Sequence, residues 1–205
     1  MVPAADGDRS GQGLFFLLVA LSIGGYAGAI VLAGVAGRLG LAWTALAVLA
    51  TSAAMSLLAA VIAGPIYHVL GDHAVLVWLL SWWYVAIIQT LGVALHPLLK
   101  HWTTPVLTAL FVMLNFTSSG GVFQPALQPG FFAGLHGFWL GAAWLHAADT
   151  VQYFWGQAVG RDALTMAGWS VVAVLLAVLT QRWTARRTRI ARDLRVTELD
   201  EVAAA

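Results

Sequence analysis

The 205-residue sequence predicts an all-α, polytopic helical membrane protein with about five spanning helices plus an outer re-entrant helical hairpin. Three observations carry this expectation. Hydrophobic residues make up 60% of the chain and charged residues 9%, and the mean hydropathy is +0.84, far from any soluble domain. The apolar runs are long and unbroken instead of alternating with polar residues in segments of about ten, which favours helices over a β-barrel. One segment, Leu114 to Phe138, interrupts the hydrocarbon with serine, glycine and proline while remaining aromatic. The length accommodates several spans but not an aqueous domain of about 100 residues as well. The expected organisation is an outside N-terminal segment (1–13), a membrane domain (14–183) with a re-entrant region near 121–160, and an Arg-rich cytoplasmic tail (184–205).

The first apolar run, Leu14 to Gly37, the second, Leu41 to Gly64, and the third, Ala74 to Leu99, are each long enough to cross a hydrocarbon core of about 30 Å. The run at Leu14 is too long for the apolar region of a signal peptide and follows Asp6 and Asp8, so it reads as a span. Gly24 and Gly28 in the first run, and Ser52, Ser56, Ala60 and Gly64 in the second, mark small-residue faces suited to close helix packing. In the third run, Trp78, Trp82, Trp83 and Tyr84 read as an interfacial aromatic belt, and Gln89 and Thr90 as hydrogen-bonding groups aimed at a neighbouring helix. A fourth run, Thr103 to about Phe116, is short for a span, and the fifth extends from about Ala163 to Trp183.

Orientation follows from the basic residues, which stay on the cytoplasmic side. Six of the nine arginines lie between Arg182 and Arg195, placing the C-terminus inside. Counting back through five spans puts Lys100 and Arg38 inside, and the loop with His68, Asp72 and His73 outside together with the N-terminus. Arg161, beside Asp162, departs from the pattern. The preference for arginine and the abundance of alanine suit a GC-rich bacterial genome, and the expected location is the bacterial cytoplasmic (inner) membrane.

Irregular backbone at membrane depth leaves polar groups unpaired unless protein or water covers them. The cluster Ser118, Ser119, Gly120 and Gly121 therefore belongs at a membrane surface or in a re-entrant structure. Phe131 to Trp144 is apolar again, yet a full crossing there would put the tail on the wrong side. Between Gly121 and Gly160 the sequence thus predicts one or two short helices that enter the outer leaflet and return, broken or started by Pro125 and Pro129.

These residues also carry a resemblance. Ser118, Ser119, Gly120, Gly121, Phe123, Pro125, Leu127, Pro129, Gly130, Phe131, Phe132, Leu135 and His136, followed by an apolar segment and an Arg-rich exit, resemble the permease domain of type-2 ABC exporters. The likeness is greatest to the branch containing the phage-infection-protein family, whose pattern has proline where this chain has Gly137. Gly13 to Ala29 is similar to the first helix of that family's C-terminal half, which follows a large extracellular domain in full-length members. The resemblance implies a permease-like subunit of an exporter. Five or six helices rarely enclose a translocation path alone, so a homodimer or a complex with a companion membrane subunit is expected, with membrane lipids around it.

No cofactor is expected on this chain. The only lysine is Lys100 and there is no Gly-rich loop ending in Gly-Lys-Ser/Thr, so ATP would enter only through a separate ATPase subunit. The arginines of the tail read as topology determinants that contact anionic lipid, along a surface helix from Thr184 to Val202, and no nucleic-acid partner is expected. His146 and Asp149 would share a helix face, with His136 able to approach, and His68, Asp72 and His73 form a second group. Neither has a diagnostic metal-ligand spacing, so Asp149 is expected either to be paired by hydrogen bonds at the outer surface or to line a polar exit path, for which Gln89, His146 and Asp149 are the candidates. Ser118 or Ser119 as a hydrolytic nucleophile lacks a Gly-x-Ser-x-Gly frame, and the expectation is a non-enzyme. A non-transporting scaffold or receptor subunit is the alternative to a permease.

Overall fold

The computed structural model describes residues 8, 11–121, 127–154, 156 and 159–204. Every regular element among them is helical, and the protein is an all-α polytopic membrane protein. Four segments are long and apolar enough to cross a membrane, Gly13–Gly37, Leu39–Ile66, Ala74–Ser118 and Val159–Arg187.

Helix α1, Gly13–Val61, is two legs joined at Gly40, whose φ of 71° and ψ of 170° reverse the chain without a Cβ clash. The legs lie antiparallel, since a Cβ on Gly13 would meet Val69 and one on Gly24 would meet Met55. Beyond α1 the helix widens into a π-helical turn, Ile62–Ile66, containing Pro65, which has no N–H to offer the regular ladder.

Helix α2, Ala74–Leu99, is the central element. It runs in step with the first leg of α1: Ser22 bonds Tyr84, a Cβ on Gly25 would touch Ile88, and one on Gly92 would lie 2.5 Å from the Ala29 Cβ. Lys100, at φ 49°, and a 3₁₀ turn, Lys100–Trp102, then send the chain back. The returning leg consists of α3 (Thr103–Thr108), a π-helical turn (Ala109–Met113) and α4 (Leu114–Ser118). His96 with Thr103, Gly92 with Leu107 and Tyr84 with Asn115 are equally spaced about the turn, so the third spanning segment is an antiparallel hairpin. Thr103 donates to the Lys100 carbonyl at 2.6 Å, which leaves its oxygen to accept from His96 Nδ1.

Two short helices follow, α5 (Gly130–His136) and α6 (Leu140–Phe154). Their junction packs at the level of Tyr84: Trp139 bonds Asn115, Trp169 donates to the Phe138 carbonyl at 2.9 Å, and Trp144 stacks at a tilt on Tyr84. Tyr84 lies ten residues into α2, which corresponds to about 15 Å along its axis. From there α6 climbs back until Gln152 faces Gly71, at the end of the bundle where α1 and α2 begin. The pair is thus a hairpin that enters the bundle from the Gly13 end and turns at about half depth.

Helix α7, Val159–Ala204, passes Asp162 beside His146 and Ser170 beside Trp83, and so descends parallel to α2. It continues unbroken to Ala204, so the Arg-rich tail prolongs the last span and does not turn onto a surface as a separate helix from Thr184. The core lies where the first leg of α1, α2, the returning leg and α6 meet, around Leu18, Tyr84, Ile88, Leu107, Phe111 and Trp144.

Candidate functional site

A directed chain of hydrogen bonds crosses this core. Ser22 donates to the Leu18 carbonyl at 2.7 Å, so the contact of 2.7 Å between Ser22 Oγ and Tyr84 OH has the tyrosine as donor. The tyrosine oxygen in turn accepts from Asn115 Nδ2 at 2.6 Å, and Asn115 Oδ1 accepts the indole hydrogen of Trp139 at 2.7 Å. The remaining amide hydrogen of Asn115 has Ser22 Oγ and the Phe111 carbonyl within 3.0 Å. Ser22, Tyr84 and Asn115 are all at most 2% exposed. Four elements are therefore tied by one network whose polar atoms find partners, as burial in hydrocarbon requires. Gly141 makes room for it, because a Cβ there would collide with the Asn115 carboxamide.

The sequence reading did not assign these four residues to a site. Tyr84, placed above in an aromatic belt, is fully buried. Trp83 donates to Ser170 at 2.8 Å and Trp82 to the Leu49 carbonyl at 3.0 Å, so both indoles join helices instead of anchoring at an interface. The available signal was a lone asparagine inside the apolar fourth run, a group that hydrocarbon does not tolerate unpaired.

The Ser-Gly motif forms the end of the returning leg. Ser118 donates its hydroxyl to the Leu114 carbonyl, and its own carbonyl, one of the orphan acceptors of a helix end, receives His136 Nδ1 at 2.8 Å. His136 thus carries its proton on Nδ1 and bridges α5 to α4. Ser119 Oγ accepts from Gly121 N–H at 3.3 Å, and Gly120 has φ 85°. A Cβ on Gly121 would collide with the Phe15 ring, so this glycine lets the chain pass over the start of α1. Pro129 is the N-cap of α5 and Gly130 its first residue, while Phe131 and Phe132 pack edge to face. Phe123 and Pro125 lie outside the described residues. No serine hydroxyl pairs with a histidine in this region among the described residues.

The three polar-path residues separate. Gln89, fully buried, accepts from Thr51 at 2.8 Å and directs its Nε2 at Met55 Sδ, 3.6 Å away, against the flat surface left by Gly28. It joins both legs of α1 to α2. His146 pairs with Asp162 at 2.6 Å on the surface, and His136 serves α4, so the two histidines do not converge. Asp149 is largely withdrawn from water, and burial pushes its carboxyl up to about 6; the His146 charge opposes the shift and Asp8 adds to it. Asp8 caps α1, accepting from Gln12 N–H and Gly13 N–H at 2.9 Å each. Among the described residues no group of three metal-ligating side chains converges, the His68, Asp72 and His73 loop included.

The expected packing faces turn inward. Ser52 and Ser56 are fully buried, Gly64 is buried, Ala60 is half-buried, and Gly24 and Gly28 face Met55. Two recesses stand out among the described residues. One, of about 580 Å³, lies between the legs of α1 near Asp8, Met55 and Tyr67. The other, of about 1010 Å³, is a groove between the second leg of α1, α2 and α7. No protein-family model, no curated protein and no solved structure matches the chain.

Proposed function

We propose that the chain is a membrane-spanning, permease-like subunit of an exporter for hydrophobic or amphipathic substrates, similar to type-2 ABC permeases. Its setting would be the bacterial cytoplasmic membrane, with the N-terminus outside and the C-terminus inside. The observation that carries this reading is the α5–α6 hairpin, which turns at half depth beside Tyr84 and Asn115. Its exposed Leu127 and Phe131 near the mouth and Phe138 at the turn offer aromatic and aliphatic surface to an amphipathic molecule arriving from hydrocarbon. The recess between the legs of α1 is apolar with a carboxylate at its edge, a composition suited to such molecules.

Five legs do not enclose a path by themselves. In the second leg of α1 and in α7 only 17% and 22% of the most apolar window is buried, which leaves both free to meet a second copy or a companion subunit. Energy would come from a separate ATPase subunit, since the chain has no phosphate-binding loop. One observation favours the alternative of a non-transporting scaffold or receptor: Gln89 and the Asn115 network are occupied in joining helices, and not in lining a polar path.

A mild-detergent purification of the tagged protein from its native membranes, with co-purifying proteins identified by mass spectrometry, separates the two. A stoichiometric ATPase supports the exporter. Recovery of the protein alone, or with only a large extracellular-domain partner, overturns it in favour of the scaffold.

A further inference from the structure

The groove of about 1010 Å³ has a chemistry of its own. Its walls are small and apolar, with Val48 from the second leg of α1, Ala86 and Ala94 from α2, and Ala173 and Ala177 from α7. These residues line an elongated trough between the second leg of α1 and α7, with α2 as its floor. Along α2 it extends from Trp83 to Pro97, about 21 Å at the helical rise, longer than the ~15 Å depth of one leaflet. At one end of the lining stands Arg189, two residues beyond the apolar span that closes at Arg187. Its side chain is exposed and makes no ion pair among the described residues, whereas Arg187 is stacked on Trp183 with its guanidinium carbon 3.8 Å from the ring centre. Gln181 and His96 add polar groups to the lining.

An apolar trough longer than one leaflet, ending in an exposed guanidinium at the edge of the span, matches an amphiphile with long hydrocarbon chains and an anionic head. We infer that this groove is a resident site for an anionic glycerophospholipid, its acyl chains lying along Ala86, Ala94, Ala173 and Ala177 and its phosphate held by Arg189. A neutral zwitterionic lipid would fill the same trough but leave the arginine with a weaker partner. The occupant would hold the second leg of α1 to α7, both of which pack on α2.

The test is native mass spectrometry of the full chain, delipidated in detergent and titrated with phosphatidylglycerol or phosphatidylcholine of identical chains. The expected result is a one-to-one phosphatidylglycerol adduct that is retained at collision energies that strip phosphatidylcholine. Arg189→Gln changes an exposed side chain and leaves the fold intact, and it is expected to weaken phosphatidylglycerol binding about fivefold with little effect on phosphatidylcholine. Ala177→Phe fills the trough and should abolish the adduct with either lipid, its melting midpoint in lipid-free detergent reporting whether the variant has folded. Equal affinity for the two lipids that Arg189→Gln does not alter overturns the site. So does a phosphatidylglycerol adduct that survives in folded Ala177→Phe, or a dimer in which a second copy occupies the groove.

Discussion

Trp139 donates its indole hydrogen to Asn115 Oδ1 at 2.7 Å, joining the base of the α5–α6 hairpin to the leg that precedes it. Among the described residues it is the hydrogen bond by which the hairpin enters the Ser22–Tyr84–Asn115 network, and Asn115 passes it on to the Tyr84 oxygen. Asn115→Ala would leave the Trp139 donor unpaired in the buried core and remove the hydrogen bond that the Tyr84 oxygen accepts, and is expected to destabilise the protein by about 2–4 kcal/mol. Trp139→Phe removes the donor alone. A double-mutant cycle on these two, read by reversible unfolding in mixed micelles, should give a coupling of about 0.6–1.7 kcal/mol. Additive effects would show that the hairpin is held by packing and not by this bond.

Glycines divide sharply into required and dispensable positions. Adding a methyl group at Gly141 drives it into the Asn115 carboxamide, and at Gly121 into the Phe15 ring, whereas at Gly134 nothing lies within 4 Å. Gly141→Ala should therefore lower the thermal midpoint strongly, and Gly121→Val should prevent the chain from crossing α1. Gly134→Ala should be neutral or stabilising by up to about 1 kcal/mol, because alanine favours a helix. Comparable losses at Gly134 and Gly141 would mean that the hairpin does not sit where the network places it.

How much of this was legible in the sequence differs by scale. Runs of hydrocarbon fix helix positions to within a few residues: the third run, Ala74 to Leu99, coincides with α2, and the second, Leu41 to Gly64, lies within the spanning segment Leu39–Ile66. Burial of small-residue faces at Ser52, Ser56 and Gly64 was legible for the same reason, since close helix packing selects them. The partners of Tyr84 were not, because an aromatic beside three others near a helix start has the composition of an interface belt, and only tertiary packing reveals that it points at Ser22. The continuation of α7 past Thr184 was also hidden: a run of arginines sets topology equally well whether the helix bends or continues.

Asp149 gives the molecule a pH dependence of definite sign. Its folded carboxyl titrates near 6, above its ordinary value of 3.8, because burial disfavours the charge more than His146 relieves it, with a smaller repulsion from Asp8 added. A raised carboxyl binds its proton more tightly in the folded state. Its stabilising contribution is complete below about pH 4 and is lost as pH rises to about 6. Asp149→Asn removes this term, so the difference in melting midpoint between variant and parent should grow in the variant's favour from pH 4 to 7 and then level off. A constant difference across that range would place Asp149 in water in the folded protein.

Topology can be tested with single cysteines, since the chain has none of its own. Ser119 is a poor probe position despite lying in the loop-like motif, because it is 3% exposed and its oxygen accepts from Gly121. Leu127, 78% exposed at the mouth of the hairpin, and Thr184, exposed near the end of the last span, are better placed. The hairpin enters from the end of the bundle where α1 and α2 begin, and Thr184 lies toward the opposite end, so a membrane-impermeant maleimide must reach them from opposite sides. The arginines that follow Thr184 favour its retention in the cytoplasm. In intact cells Leu127→Cys should label and Thr184→Cys should not, and permeabilised cells should label at both. Labelling of Thr184→Cys alone in intact cells would invert the orientation and, with it, the assignment of the hairpin to the outer leaflet.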